Sequence, residues 1–156
     1  MIKITPTRLA EKNLSKVELI KNVKIHRENM KKVCKLLVEK LNEGTDNHDK
    51  TKLDKPDMFY DAYSRNLPEN EFKKTEWFKF HDRRERHHLM DYCPPDVNLI
   101  DILEQVAYIV SDSKEKSSSI PKAELVSIEI LMKAYRNTIK LLNKEVESDI
   151  MDTPIS

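Results

Sequence analysis

The strongest constraint on the fold is the spacing of apolar residues, which repeats at three and four along most of the 156-residue chain. From about Lys16 to Asn42, the residues Leu19, Val23, His26, Met30, Val33 and Leu37 fall on one face of a helix, with lysines and glutamates opposite. Residues 69–91 form another helical stretch, apolar at Phe72, Trp77, Phe78 and Phe80, and 96–112 are apolar on most sides, as in a central helix. From about Pro121 to Glu147 runs a clean stripe of Leu125, Ile128, Met132, Tyr135, Ile139, Leu142 and Val146. The spacing predicts an all-α fold, a single-domain bundle of about five to seven helices with a long C-terminal helix. That last stripe is packing geometry, serving either the core or a homodimer partner.

Helix-breaking residues divide the pattern. Gly44 stands where a C-terminal cap would fall. Thr45-Asp46-Asn47 offer caps ahead of His48, so the following pair opens a short helix or turn that Pro56 ends. Pro56-Asp57 starts the next element, and Asn66-Leu67-Pro68 and Cys93-Pro94-Pro95 are further stops. Residues 1–15 are expected to be an arm, 112–120 a mobile polar loop and 148–156 a flexible tail, leaving 16–147 as the domain.

Composition removes several function classes. With 28 basic and 27 acidic residues the formal net charge is +1, too low for general nucleic-acid binding. Gly44 is the only glycine, which excludes glycine-rich phosphate loops and leaves phosphate chemistry to a metal and basic side chains. Cys34 and Cys93 are too few for a disulfide framework and read as free thiols in a reducing compartment. Without a run of about 18 apolar residues or a signal-peptide core, the expectation is a soluble cytoplasmic protein with no membrane contact.

Ligand-type residues are concentrated. The five histidines are His26, His48, His81, His87 and His88. His48 adjoins Asp49, which sets two ordinary ligands for divalent metals on neighbouring residues. His26 lies on the apolar stripe, where a core histidine bonded to a carbonyl is the simpler reading. His81 and His88, seven apart, share a face of a continuous helix, whereas His87 points elsewhere unless the chain kinks. Arg83, Arg84 and Arg86 are either a solvated charge run or a phosphate clamp. Asp101 and Glu104 stand in the apolar 96–112 helix, where they either form its wet strip or, if buried, need a partner such as a metal.

His26, then His48-Asp49, then Asp101, each on a separate helix, resembles the HD-domain metal-dependent phosphohydrolases. More narrowly, the run from His26 to about Ser111 resembles a poorly characterised family of small helical proteins from phages and bacteria. That family's pattern has a helix histidine, an HDxSK-like segment (here His48-Asp49-Lys50-Thr51-Lys52), a histidine-rich segment (His81 through His87-His88) and an acidic last helix (Asp101 with Glu104). The resemblance covers somewhat over half the chain. One departure is Tyr108, where a further acid is expected; Gln105 is neutral too, so the fourth ligand lies between Asp101 and Glu104.

The resemblance implies that His26, His48, Asp49 and Asp101, or Glu104 in its place, hold a divalent ion. Manganese, iron, cobalt, zinc or magnesium would serve, as one ion or two, lowering the pKa of bound water and neutralising phosphoryl charge. His81, His87 and His88 complete a second position bridged through Asp49, or one of them, such as His81, is a general acid. Lys52 faces a substrate phosphate or donates a proton, and Arg83, Arg84 and Arg86 clamp further phosphates. The implied substrate is a nucleotide or nucleotide-derived phosphoester, met in the host cytoplasm if the chain is phage-encoded. Two alternatives are a di-iron oxygenase of the same architecture and a binding or inhibitory protein that has lost catalysis.

Overall fold

The structure is a computed structural model and describes residues 1–116 and 126–149. The expected helix start at Pro121, the second half of the 112–120 loop and most of the 148–156 tail lie outside the described residues. Within them the chain is helical: α1 (Lys16–Asp46), α2 (Lys50–Asp54), α3 (Pro56–Ser64), α4 (Glu69–Phe72), α5 (Glu76–Asp82), α6 (Leu99–Glu115) and α7 (Ile128–Glu145). Two three-residue strands, β1 (Ile2–Ile4) and β2 (Val146–Ser148), complete it. The all-α class and the long C-terminal helix agree with the periodicity. No helix among the described residues is long and apolar enough to cross a membrane. Two compact units emerge, one from residues 1–40 and 139–156, the other from 41–138.

In the first unit the N-terminal arm is more ordered than its composition suggests. β1 pairs in parallel with β2, Lys3 opposite Glu147. Asn29 accepts from the Thr5 amide (3.0 Å) and donates to the Thr5 carbonyl (2.7 Å), and Asn22 accepts from the Arg8 amide (2.8 Å). Ser15 caps α1 together with Glu18. The face of α1 that the arm covers therefore carries Asn22 and Asn29, with buried Leu36 two turns beyond. This corrects the expected stripe, since Leu19, Val23, His26 and Met30 are all exposed. The arm's backbone groups need hydrogen-bond partners, and asparagines supply them where leucines cannot.

The second unit has a small core of Leu89, Val97 and Ala134, flanked by Cys93, Leu99, Ile102, Val126 and Ile130. α1 continues through Gly44, which is no cap. A Cβ there would meet Glu104 Oε2 and Ile100 Cγ2, each at 3.4 Å, so glycine lets α6 approach α1 closely. The 69–91 stretch is also not one helix. α5 starts at a Thr75 cap and ends at Asp82, after which the chain turns through residues 83–98.

α6 takes the second of its two expected arrangements, with the acids buried. Ile100, Asp101, Glu104, Gln105 and Ser113 face inward, while Leu103, Val106 and Val110 are about half exposed. Its acids have partners inside, so the polar strip is the buried one. On α7 the expected stripe is exposed at Ile128, Met132, Tyr135 and Ile139, and the buried positions are Ala134 and Thr138. Thr138 Oγ1 accepts from the Leu99 amide (2.8 Å), supplying one of the free N–H groups at the start of α6.

Candidate metal centre

The residues that converge come from a helix start, a helix end and a turn. Asp49 is the cap position of α2 and has left-handed backbone angles (φ 55, ψ 17), which aspartate tolerates better than most residues. Its own side chain does not cap α2. That work is done from a distance by Glu85, which accepts from the Asp49 amide (3.0 Å), the Thr51 amide (2.9 Å) and the Thr51 hydroxyl. The turn after α5 brings His87 and His88 back towards His81, which is the kink that a continuous helix would have denied His87. Among the described residues, one ligand atom from each of Asp49, His81, His87 and His88 lies within 4.8 Å of the others. His48, His87 and Glu104 form an adjoining group on the same criterion.

The hydrogen bonds around this cluster fix ring tautomers. A carboxylate can only accept, so His48 carries its proton on Nδ1, 3.0 Å from Glu104 Oε1. His87 Nδ1 is 3.3 Å from the same oxygen but off the hydrogen-bonding direction, so neither nitrogen of this fully buried ring has a hydrogen-bond partner. The Thr51 hydroxyl gives its proton to Glu85, and so can only accept from His81 Nδ1 at 2.7 Å. His81 Nε2 is then a lone pair, and it faces His88 Nε2 at 2.9 Å. Asp49 Oδ1, 3.7 Å from His81 Nε2 and 4.0 Å from His87 Nε2, is likewise buried without a hydrogen-bond partner.

This arrangement fits a metal ion. Two imidazole nitrogens bound side by side at about 2.1 Å from an ion lie roughly 3.0–3.4 Å apart, close to the His81–His88 separation. The unpartnered atoms, Asp49 Oδ1 and His87 Nε2, are the ones an ion would satisfy. Three imidazoles and a carboxylate suit iron, manganese or zinc. Asp82, buried with Oδ1 unpartnered, and Asp91 each have a carboxylate oxygen within 4.8 Å of a His88 ring nitrogen.

Electrostatics keep the ligands in binding form. Burial lowers the His88 pKa to about 3, helped by His87 and His81, and burial with Lys52 beside it lowers His81. Burial alone would raise the Asp49 carboxyl, but the hydrogen-bonded Lys52 ammonium, with His48 and His81, holds it below the ordinary range. Glu104 behaves similarly, with burial outweighed by His87 and His48. His81 and His88 are thus neutral, and Asp49 and Glu104 ionised, near neutral pH, as metal ligands must be.

A cavity of about 540 Å³ opens beside the cluster, lined by His48, Asp49, Lys52 and Glu104 and, along α6, by Tyr108, Asp112 and Lys116 among others. Tyr108, at the position where an acid is expected, lies with its ring 5.1–6.2 Å from those of His87, His48 and His88. Burial raises its pKa, with Asp112 adding, so it keeps its proton. Trp77 stacks on His81 (5.2 Å).

Several expected residues stand elsewhere. His26 is exposed on α1 and belongs to none of the ligand groups. Asp101 has no need of a metal: Arg86 grips it through Nε (2.6 Å) and Nη2 (2.8 Å), and it closes the capping box of α6 with Asn98. Arg86, whose pKa is raised first by that hydrogen bond, also holds Asp96 (3.1 Å), so its donors are committed to the fold instead of to substrate phosphate. Arg84 lies over the Phe80 ring (4.1 Å), and neither it nor Arg83 lines the cavity. Lys52 does line it. Glu85 and Thr51 are not singled out by sequence; the available signals are an acid inside a basic run, two residues before a histidine pair, and a hydroxyl two residues after Asp49.

Comparison with family profiles, with curated proteins and with solved structures found no match.

Proposed function

We propose that the protein is a divalent-metal-dependent phosphohydrolase of the HD type, acting on a nucleotide or nucleotide-derived phosphoester. The observation that carries this reading is the convergence of Asp49, His81, His87 and His88, with two of their buried ligand atoms unpartnered, beside a cavity lined by a lysine. Asp49, His81, His87 and His88 would hold the ion, with His48 and Glu104 adjoining. The ion supplies Lewis acidity, lowering the pKa of water and neutralising phosphoryl charge. Lys52 holds Asp49 Oδ2 and leaves Oδ1 to the ion. Its ammonium also offers the cavity a donor for a phosphate oxygen. Tyr108, which keeps its proton, lines the same cavity and would offer a neutral hydroxyl to a bound phosphoester.

The test is a screen of nucleoside monophosphates, cyclic nucleotides and alarmone-like polyphosphates with manganese or cobalt. Turnover with at least one, lost in His87→Ala, is the expected result; none with any ion, in protein that has taken up metal, contradicts it. The imidazole-rich donor set favours one second reading, an iron oxygenase, which the same samples test through oxygen consumption. A metal-loaded protein silent in both assays would be a binding or inhibitory protein.

A further inference from the structure

We propose that Glu85 and Thr51 are positioning residues of the metal centre, a carboxylate–hydroxyl–imidazole relay that sets both the backbone at Asp49 and the tautomer of His81. The inference rests on the metal reading above but reaches residues that reading does not use.

Glu85 is buried in the turn between α5 and His87-His88, and all its hydrogen bonds in the structure run to one short segment, Asp49 to Thr51. Two of them take up N–H groups at the start of α2, which the Asp49 side chain leaves free. That clamp holds Asp49 in the left-handed conformation, from which its Oδ1 reaches the histidines. The third bond consumes the Thr51 proton. Thr51 Oγ1 is left with lone pairs only, and His81 Nδ1, 2.7 Å away, must donate to it. His81 Nε2 is thereby deprotonated and faces the site. Without the relay, an imidazole is free to carry its proton on Nε2, where it would block the ion.

Lys52 is three residues from Asp49 and bonds its other oxygen, so the segment is held on both sides. A carboxylate behind a metal-binding histidine ordinarily touches the ring directly. Here a hydroxyl stands between them, and the same carboxylate also anchors a second ligand's backbone.

The test reads the proton itself. In metal-free, 15N-labelled full-length protein, long-range proton–nitrogen correlation distinguishes a ring protonated on Nδ1 from one protonated on Nε2. Wild type is expected to show His81 protonated on Nδ1. Thr51→Val keeps the side-chain shape but removes the acceptor, and should move the proton largely to Nε2; Thr51→Ser should restore it. Cobalt titration of the same proteins should show affinity falling about 10–100-fold in Thr51→Val and recovering in Thr51→Ser. A wild-type His81 protonated on Nε2 overturns the relay whether or not the variants fold, as does measurable cobalt binding of equal affinity in wild type and Thr51→Val. If wild type shows the expected tautomer and binds no cobalt, the metal reading fails and the relay stands.

Discussion

His88 is neutral in the folded protein down to about pH 3, whereas an unfolded histidine takes up a proton below about 6.5. Between those values the unfolded state binds more protons, so stability rises with pH, levelling off above 6.5. Metal-free protein should therefore lose on the order of 1–2 kcal/mol between pH 7 and pH 5 from this residue alone. Asp49 and Glu104, whose pKa values are lowered, add losses at still lower pH, below the ordinary carboxylate range. Urea denaturation at pH 7.5 and 5 measures this, and unchanged stability would contradict it. Asp101 and Glu104 separate just as sharply. Asp101→Asn should cost about 1–2 kcal/mol of stability by breaking a half-buried pair with Arg86 while leaving cobalt affinity within about twofold. Glu104→Gln should lower that affinity about tenfold or more with less effect on folding. These two acids lie three residues apart on one helix, and periodicity could not choose between them. The choice was made by Arg86, fifteen residues back across a turn the sequence did not reveal. Glu85 was hidden for a related reason, because an acid between arginines looks like part of a solvated charge run.

At the level of elements, the apolar spacing located helices well and their buried faces less well. α2 follows His48-Asp49 and stops before Pro56, which opens α3, although the expected caps Thr45 and Asp46 belong to the end of α1 and Asp49 takes the cap position. α6 and α7 are present, yet Val106, Met132 and Tyr135 are exposed while Asp101, Glu104 and Thr138 are buried. A stripe identifies a helix; it does not say which face finds polar partners inside. Gly44 is the clearest case. In sequence it resembles a cap, and in the structure it lies inside α1, where a Cβ would touch Glu104 and Ile100 of α6. Because 3.4 Å is ordinary contact, Gly44→Ala should be accommodated and should gain up to about 1 kcal/mol from helix propensity. Gly44→Leu must displace Glu104 or Ile100, with about 1–3 kcal/mol lost to overpacking and weaker metal binding. Thermal denaturation and cobalt titration of the two variants check this pairing; an alanine variant as damaged as the leucine one would contradict it.

Across the whole molecule, the division of labour is clear. The unit of residues 1–40 and 139–156 joins the N-terminal arm to the end of α7 through a parallel strand pair and asparagine contacts. The unit of residues 41–138 contains every member of the ligand cluster. Four of the five histidines were legible as a group because they are so few and so closely spaced. His26 joins them only through a resemblance in motif order, and it is exposed, in the other unit. The most direct measurement is metal content of freshly purified protein by mass spectrometry, for wild type, Asp49→Ala/His81→Ala and His26→Ala. The centre described above predicts about one or two equivalents of a transition metal in wild type and His26→Ala, and loss in the double variant. No metal in wild type even after incubation with excess ion, or loss caused by His26→Ala alone, would contradict it.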